Sequence, residues 1–188
     1  MIKIGITGSI ASGKTTASKI ISHSYGPLFS ADKVVKKLYA QNNFKKLIAK
    51  KCKFNFNLKF KKELKKKILE NKSTLKTLER IIHPFVRKEM LFFINKNRNK
   101  KFLFFEIPLL IESKLKNNFN VVIFIKSQKK MRLKRYKLKN GDKKLFYVLD
   151  HHQLKDTYKM KFCDHVVVNN KTLSVLKKNL LNIMNKYE

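Results

Sequence analysis

The chain has 188 residues, 43% of them hydrophobic, so it suits one compact domain with a sizeable core. No apolar run approaches the roughly 18 residues of a membrane span, and the first residues carry no basic segment followed by a long apolar stretch. We therefore expect neither a membrane segment nor a secretory signal. Cys52 and Cys163 show no metal-ligand spacing and no disulfide framework, which favours a reduced, cytoplasmic setting.

The charge balance is unusual, with 45 Lys and Arg residues against 12 Asp and Glu residues and a formal net charge of +33. A surface this basic is typical of nucleic-acid binders. Compositional drift is the alternative, because lysine outnumbers arginine, is spread along the chain, and accompanies abundant Asn, Ile and Phe, which AT-rich codons encode. We favour drift and expect no nucleic-acid partner, although a basic surface would still attract anionic nucleotides.

The first predicted strand, residues 2–7, leads into the sequence GSIASGKT at residues 8–15, which matches the phosphate-binding loop G-x-x-x-x-G-K-[ST]. A helix to about Ser24 follows. Backbone N–H groups of such a loop and the helix N-terminus behind it hold phosphate oxygens. We expect Gly8 and Gly13 to have positive φ or to lie where a Cβ would strike a phosphate. Lys14 can reach the β- and γ-phosphates, and the Thr15 hydroxyl can ligate Mg2+.

A second short strand is predicted over residues 27–30, with Asp32 at its C-terminal end. Ligands of open α/β sheets bind at the C-terminal ends of the strands. Asp32 is therefore expected to face the same crevice as Lys14. The alternative is that Asp32 only caps a helix beginning at Lys33.

Residues 33–97 show apolar positions recurring every three and four residues, which predicts a helical insertion between the second and third strands, with a loop at residues 54–58. His83-Pro84 is expected to interrupt the helices, with Pro84 in a first turn. Arg87 stands four residues after His83, so both can face one side. By itself, a histidine here is more typical of a structural cap than of a ligand.

The almost fully apolar residues 101–106 predict a buried central strand ending at Glu106. That carboxylate either orients a substrate or holds Mg2+ through water, or it only caps the strand end. Residues 121–125 predict the next strand. A basic helical hairpin, residues 129–139 and 143–154, either closes over bound phosphates or presents solvated lysines. A last strand at residues 165–169 and a helix at residues 173–187 complete the chain.

Several landmarks occur in a fixed order along the chain. They are the phosphate loop, Ala31-Asp32, His83-Pro84 with Val86-Arg87, the sequence PLLIE at residues 108–112, Arg135, Gln153, Lys159, and residues 163–169. Over essentially the whole chain this set resembles the dephospho-CoA kinase family. The loop is common to many kinases, whereas Pro-Leu-Leu-x-Glu within the ordered set points to this family.

The resemblance implies an α/β P-loop NTPase fold, with a parallel sheet of about five strands flanked by helices. It implies a nucleotide-binding core (residues 1–32, 98–128 and 160–188), a helical acceptor-binding insertion (residues 33–97) and a helical lid (residues 129–159). The implied reaction is ATP-dependent phosphorylation of the ribose 3′-hydroxyl of 3′-dephospho-CoA, giving coenzyme A and ADP, with Mg2+.

The resemblance also implies roles for individual residues. The catalytic residues would be Asp32 as the base, Lys14, and Arg135 closing from the lid. The ATP-binding residues would be Gly8, Ala11, Ser12, Gly13, Lys14, Thr15, Thr16 and Asn169. The acceptor would contact Asp32, His83, Arg87 and Glu106, and Thr15 would bind the metal.

The chain also departs from the family pattern. Ser9 and Ala11 stand where glycine is usual, and we expect both to fit without positive φ. Ser30, Glu106 and Lys139 replace the usual Asp, Asp and Arg. Two other functions stay open on the sequence: a P-loop kinase for another acceptor, such as a nucleoside monophosphate, and an ATP-using nucleic-acid-binding protein.

Overall fold

A computed structural model describes residues 1–71 and 73–188 of the protein. Within these residues, strands and helices follow the order of an α/β fold. The strands are β1 (Ile2–Thr7), β2 (Leu28–Ser30), β3 (Phe102–Glu106), β4 (Val121–Lys126) and β5 (His165–Val168). The α-helices are α1 (Lys14–Tyr25), α2 (Ala31–Ala40), α3 (Asn42–Lys51), α4 (Phe60–Glu70), α5 (Ser73–Lys96), α6 (Lys129–Lys137), α7 (Lys143–His152), α8 (Asp156–Met160) and α9 (Leu173–Met184).

The strands form one parallel sheet in the order β2-β3-β1-β4-β5. The predicted fold, a parallel sheet of about five strands flanked by helices, is confirmed. Because all strands run in the same direction, their C-terminal ends lie along one edge of the sheet. The segments that follow β1, β2, β3 and β5 therefore meet at that edge.

Both faces of the sheet are buried, as its nearly continuous apolar strands require. On one face, Ile4 and Phe104 belong to a cluster with Ile21 of α1 and Leu180 of α9. On the other face, Phe105 belongs to a cluster that contains residues of α5 and of the turn after β3. The sheet is thus fixed from both sides, which holds the strand ends in place.

Helices α2 to α5 lie between β2 and β3 in the chain and form a third apolar cluster around Phe44, Ile48 and Phe60. Leu145 and Leu149 of α7 pack against this cluster. The basic hairpin therefore contacts the helices inserted between β2 and β3. The residue bounds given above for core, insertion and lid stay a prediction.

The expected helix break at His83-Pro84 is wrong, because α5 continues through Pro84. An internal proline costs about 3 kcal/mol, since it removes one hydrogen bond and crowds the preceding turn. Burial of an apolar side chain contributes about 1.5–3 kcal/mol. Leu75 and Leu78 are buried in the third cluster and Val86 and Met90 against the sheet, so their burial outweighs that cost.

Among the helices of residues 1–71 and 73–188, none combines the length and the apolar composition that a bilayer span requires.

Helix ends in the hairpin also differ from the prediction. Helix α6 ends at Lys137, two residues before its predicted end. In the turn that follows, Asn140 has a φ of 58° and Gly141 N–H donates to Tyr136 O (3.0 Å). Residues after α7 form an additional short helix, α8, that the apolar spacing did not predict.

The phosphate loop, residues 8–13, connects β1 to α1. Gly8 has a φ of 146° and Gly13 a φ of 99°, as predicted. A Cβ at Gly13 would lie 2.1 Å from the amide nitrogen of Asn169. The expectation for Ala11 is wrong, because its φ is 57°. At this left-handed φ, the Cβ of Ala11 crowds the following carbonyl oxygen.

Ala11→Gly should therefore stabilise the protein by about 1 kcal/mol, because it removes the strain of a Cβ at positive φ. Urea unfolding followed by circular dichroism should show a higher midpoint with an unchanged slope. Ala17→Gly in α1, where helical φ favours alanine, should lower the midpoint. An equal decrease in both variants would contradict the strain at Ala11.

Candidate active site

The ammonium of Lys14 lies inside the phosphate loop. Its Nζ donates to Gly8 O (3.0 Å) and Ser9 O (2.8 Å), and the residue is 7% exposed. Burial lowers the pKa of Lys14 from 10.5 to about 8, while the charge of Asp32 raises it and that of Lys159 lowers it further. A polyphosphate bound beside this ammonium would favour its charged form. The loop thus carries a cation placed for an anionic ligand.

Asp32 lies in the first turn of α2, which follows β2 directly. The helix begins at Ala31 and its N-cap is Ser30, so the alternative that Asp32 caps a helix starting at Lys33 is wrong. Burial raises the pKa of Asp32; the charge of Lys14 opposes this shift and that of Glu106 adds to it. A carboxylate with a raised pKa next to a buried ammonium is suited to accepting a proton.

Glu106, at the end of β3, is 1% exposed and pairs in register with Ser30 of β2. Its Oε2 accepts a hydrogen bond from Ser30 Oγ (2.9 Å), and its Oε1 accepts one from Thr15 Oγ1. Ser30 thus gives Glu106 a neutral hydrogen-bond donor, where an aspartate would place a second negative charge. Thr15, Ser30 and Glu106 therefore form one hydrogen-bonded group of hard oxygen atoms.

Two cavities adjoin at this strand edge. The insertion-side cavity, of about 400 Å3, lies between α5, the turn after β3 and the C-terminal end of α7. The loop-side cavity, of about 510 Å3, lies between the phosphate loop, α6 and the segment after β5. Ala11, Lys14 and Asp32 line both cavities. A ligand in one cavity would therefore meet a ligand in the other at Lys14 and Asp32.

The predicted site residues divide between these cavities. The loop-side cavity is lined by Ala11, Ser12, Gly13, Lys14, Thr15, Thr16, Asp32, Arg135 and Asn169. The insertion-side cavity is lined by Ala11, Lys14, Asp32, His83 and Arg87. Gly8 and Glu106, although described, line neither. A Cβ at Gly8 would lie 2.4 Å from Ile125 O, so this glycine lets the loop pass β4.

Arg135 extends from α6 to the mouth of the loop-side cavity. Its Nη2 donates to Asn169 O (2.9 Å), and its Nη1 donates to Ser127 Oγ (3.0 Å) and Ser12 O (3.3 Å). Asn169 in turn donates through Nδ2 to Ser12 O (2.8 Å). Arg135 and the residue after β5 are therefore joined to the phosphate loop.

His83 and Arg87 lie on one side of α5, as their spacing predicted, and line the insertion-side cavity. His83 lies in the middle of this helix, so its interpretation as a structural cap is wrong. Burial lowers the pKa of His83, and the charge of Glu79 acts in the opposite direction. Arg87 Nη2 contacts Ser113 O at 3.4 Å. Both side chains are placed to meet a ligand in this cavity.

Sequence reasoning missed several residues that fix the helical hairpin of α6 and α7 in place. Arg132 is 6% exposed and its Nη1 lies 2.5 Å from Asp150 Oδ1. His152 Nε2 lies 2.8 Å from Glu79 Oε1, which joins α7 to α5. Spacing could have suggested Arg132, because it stands three residues before Arg135 on one helix face. No local pattern pairs it with Asp150.

Comparisons with known proteins agree with this geometry. The model of the dephospho-CoA kinase family matches residues 2–174. A dephospho-CoA kinase of Bartonella henselae is 31% identical over 183 residues, 95% of this chain and 94% of the relative. One from Rickettsia felis is 33% identical over 139 residues, 72% of this chain and 70% of the relative.

A solved structure shows the same likeness in three dimensions. The dephospho-CoA kinase from Campylobacter jejuni has a TM-score of 0.63 to this chain at 26% identity, covering 98% of this chain and 96% of that one. The chain therefore belongs to the dephospho-CoA kinase family, which uses ATP to phosphorylate 3′-dephospho-CoA to coenzyme A.

Proposed function

We propose that the chain carries out this phosphoryl transfer where its two cavities adjoin, with ATP in the loop-side cavity and 3′-dephospho-CoA in the insertion-side cavity. One observation carries the proposal: Lys14 and Asp32 line both cavities. A transferring phosphoryl group must contact donor and acceptor at once, so the residues of the chemistry belong at a shared boundary.

On the donor side, the loop amides and the ammonium of Lys14 bind the β- and γ-phosphates of ATP. Gly13, Thr15 and Thr16 line this cavity at the N-terminus of α1, where amide N–H groups favour anions. Arg135 stands opposite them and stabilises charge on the phosphoryl group as it transfers. Asn169 borders the nucleotide.

On the acceptor side, Asp32 orients the ribose 3′-hydroxyl and takes its proton as the new P–O bond forms. His83 and Arg87 line the same cavity, and the positive charge of Arg87 suits the phosphates of the acceptor. The remaining wall is largely apolar, with Leu78 and Ile82 of α5. It excludes water, which would otherwise compete with the 3′-hydroxyl.

The Thr15 and Glu106 oxygens fit Mg2+, because this ion prefers hard oxygen ligands and keeps water and phosphate oxygens around it. Residues 1–71 and 73–188 contain no cluster of three or more His, Cys, Asp or Glu side chains that could hold a metal by itself. Thr15 would bind the ion directly and Glu106 would orient its shell. Bound there, Mg2+ supplies charge neutralisation for the phosphates.

The proposal places the enzyme in the cytoplasm and gives its positive charge no nucleic-acid role. Cys52 and Cys163 are both free thiols, which is compatible with a reducing compartment. The basic surface instead raises the encounter rate with two polyanionic substrates.

The experiment that tests this function measures ADP release with ATP and Mg2+ for the wild-type protein and Asp32→Asn. We expect turnover with 3′-dephospho-CoA, and a loss of about 100-fold or more in Asp32→Asn, because an amide cannot accept the proton. Dissociation constants for ATP, measured by calorimetry, should change little.

Nucleoside monophosphates serve as the matched acceptors in that assay. Preference for a nucleoside monophosphate would contradict the acceptor assignment. Near-normal turnover of Asp32→Asn with 3′-dephospho-CoA would instead contradict the role of Asp32 as base.

ATP binding should weaken above pH 8. Below the pKa of about 8, Lys14 is charged before ATP arrives; above it, binding requires proton uptake. Affinity is thus fully present below pH 8 and should fall about tenfold between pH 7 and pH 9. Lys14→Arg keeps its charge over this range and should give a flat profile, even if its affinity is lower. An equally steep profile in Lys14→Arg would show that another group titrates.

Glu106→Gln should raise the Mg2+ concentration needed for half-maximal ATP binding by about fivefold or more, because the metal site loses its negative charge. The measurement is a Mg2+ titration of fluorescent nucleotide binding, without an acceptor. Glu89→Gln, an exposed position of α5, is the matched control and should leave the titration unchanged. Equal titrations for both variants would exclude Glu106 from the metal site.

A further inference from the structure

Residues 153–159 lead from the lid back towards the sheet, and we call them the return segment. They bind the first half of the phosphate loop. Ile10 N–H donates to Gln153 Oε1 (2.9 Å), and Ser9 Oγ donates to Asp156 Oδ1. Ser9 is 2% exposed, so its hydroxyl is shielded from water and bonds this carboxylate instead. Two successive loop residues are therefore held by two side chains of one short segment.

The return segment is itself anchored. Leu154 N–H donates to Glu112 Oε1 (3.2 Å), and Lys159 Nζ lies 3.1 Å from the same oxygen. Lys159 is fully buried, and removing one partner of a buried ion pair leaves an uncompensated charge. The segment thus has a fixed position relative to the turn after β3, from which it can hold the loop.

A further contact between the lid and the phosphate loop comes from α6. Arg132, paired with Asp150, donates through Nη1 to Ile10 O (3.4 Å). Ile10 therefore has its N–H bound to Gln153 and its carbonyl contacted by Arg132. A loop residue fixed at both backbone groups has little freedom to rotate its peptide planes.

Lys14 makes such support necessary. Its ammonium now bonds two loop carbonyls, Gly8 O and Ser9 O, and holds the loop closed from within. An ammonium has three N–H donors and two of them are used here, so each of these two that turned to the phosphates of ATP would leave one loop carbonyl without its bond to Lys14. Something other than Lys14 must then keep the loop in shape.

We propose that Gln153 and Asp156 are positioning residues that hold the phosphate loop in its nucleotide-binding shape while Lys14 engages ATP. The inference rests on the proposed ATP site. It adds that the return segment sets the affinity for ATP through its bonds to the loop, although Gln153 also lines the insertion-side cavity. Charge-assisted hydrogen bonds such as that between Ser9 and Asp156 are the stronger class, so Asp156 should matter most.

The test measures the dissociation constant for ATP with Mg2+ by calorimetry, without an acceptor. Asp156→Ala should raise it about tenfold and Gln153→Ala about threefold. Gln153→Glu should restore most of that affinity, because its carboxylate oxygen can accept the same bond from Ile10. Asp142→Asn, which also removes one lid carboxylate charge but keeps a cap for α7, should bind ATP like the wild type.

A double-mutant cycle with Ser9→Ala separates positioning from general destabilisation. If Asp156 acts through Ser9, the double variant binds ATP no more weakly than Asp156→Ala alone. Ser9→Ala deletes the same bond from the loop side, so it decides the question even if Asp156→Ala does not fold.

Three results would overturn the inference. Unchanged ATP affinity in Ser9→Ala and Gln153→Ala would remove the positioning role. So would strictly additive losses in the cycle, because Ser9 and Asp156 would then act independently. If the wild-type protein itself fails to bind ATP, the proposed function and the positioning role both fail. If the wild type binds ATP and the variants bind it equally well, only the positioning role fails and the proposed function stands.

Discussion

Burial of one ammonium inside the phosphate loop is the constraint on which the rest of this site depends. Desolvation disfavours the charge of Lys14, and the structure offsets this cost with two loop carbonyls and a carboxylate, Asp32. Those groups must converge on Lys14, although Asp32 follows a different strand from the loop. Only a sheet with fixed strand ends can supply that convergence.

The parallel sheet meets this requirement because it is packed on both faces. Glu106 and Ser30 are neighbours through the register of β2 and β3, and the loop contacts them through Thr15. The same edge therefore concentrates two carboxylates and one ammonium. Burial raises the pKa of Asp32, and the charge of Glu106 adds to that rise, so the edge holds a carboxylate whose proton affinity is increased by its surroundings.

The sequence predicted those parts of the fold that local patterns encode. Apolar runs identified the strands, and the glycine and lysine spacing of residues 8–15 identified the loop with two of its positive φ angles. Position after a strand placed Asp32 beside Lys14. Each of these features depends on neighbours in the chain or on a general property of parallel sheets.

The remaining features depend on tertiary contacts that no local pattern records. Ala11 has a positive φ. The two residues before it are bonded by Lys14 from within the loop and by Gln153 from outside it. Pairs such as Arg132 with Asp150 and His152 with Glu79 join elements that are far apart in sequence or lie on different helices. Helix propensity predicted a break at Pro84, but burial of apolar side chains on both sides of this proline stabilises an unbroken helix.

That unbroken helix has a mechanical consequence. The first half of α5 belongs to the cluster of the inserted helices, and its second half belongs to the cluster beneath the sheet. A stiff rod shared by two apolar clusters transmits displacement of one to the other. The inserted helices and the sheet should therefore lose their structure together, as one cooperative unit, and their amide hydrogens should exchange with a common free energy of opening.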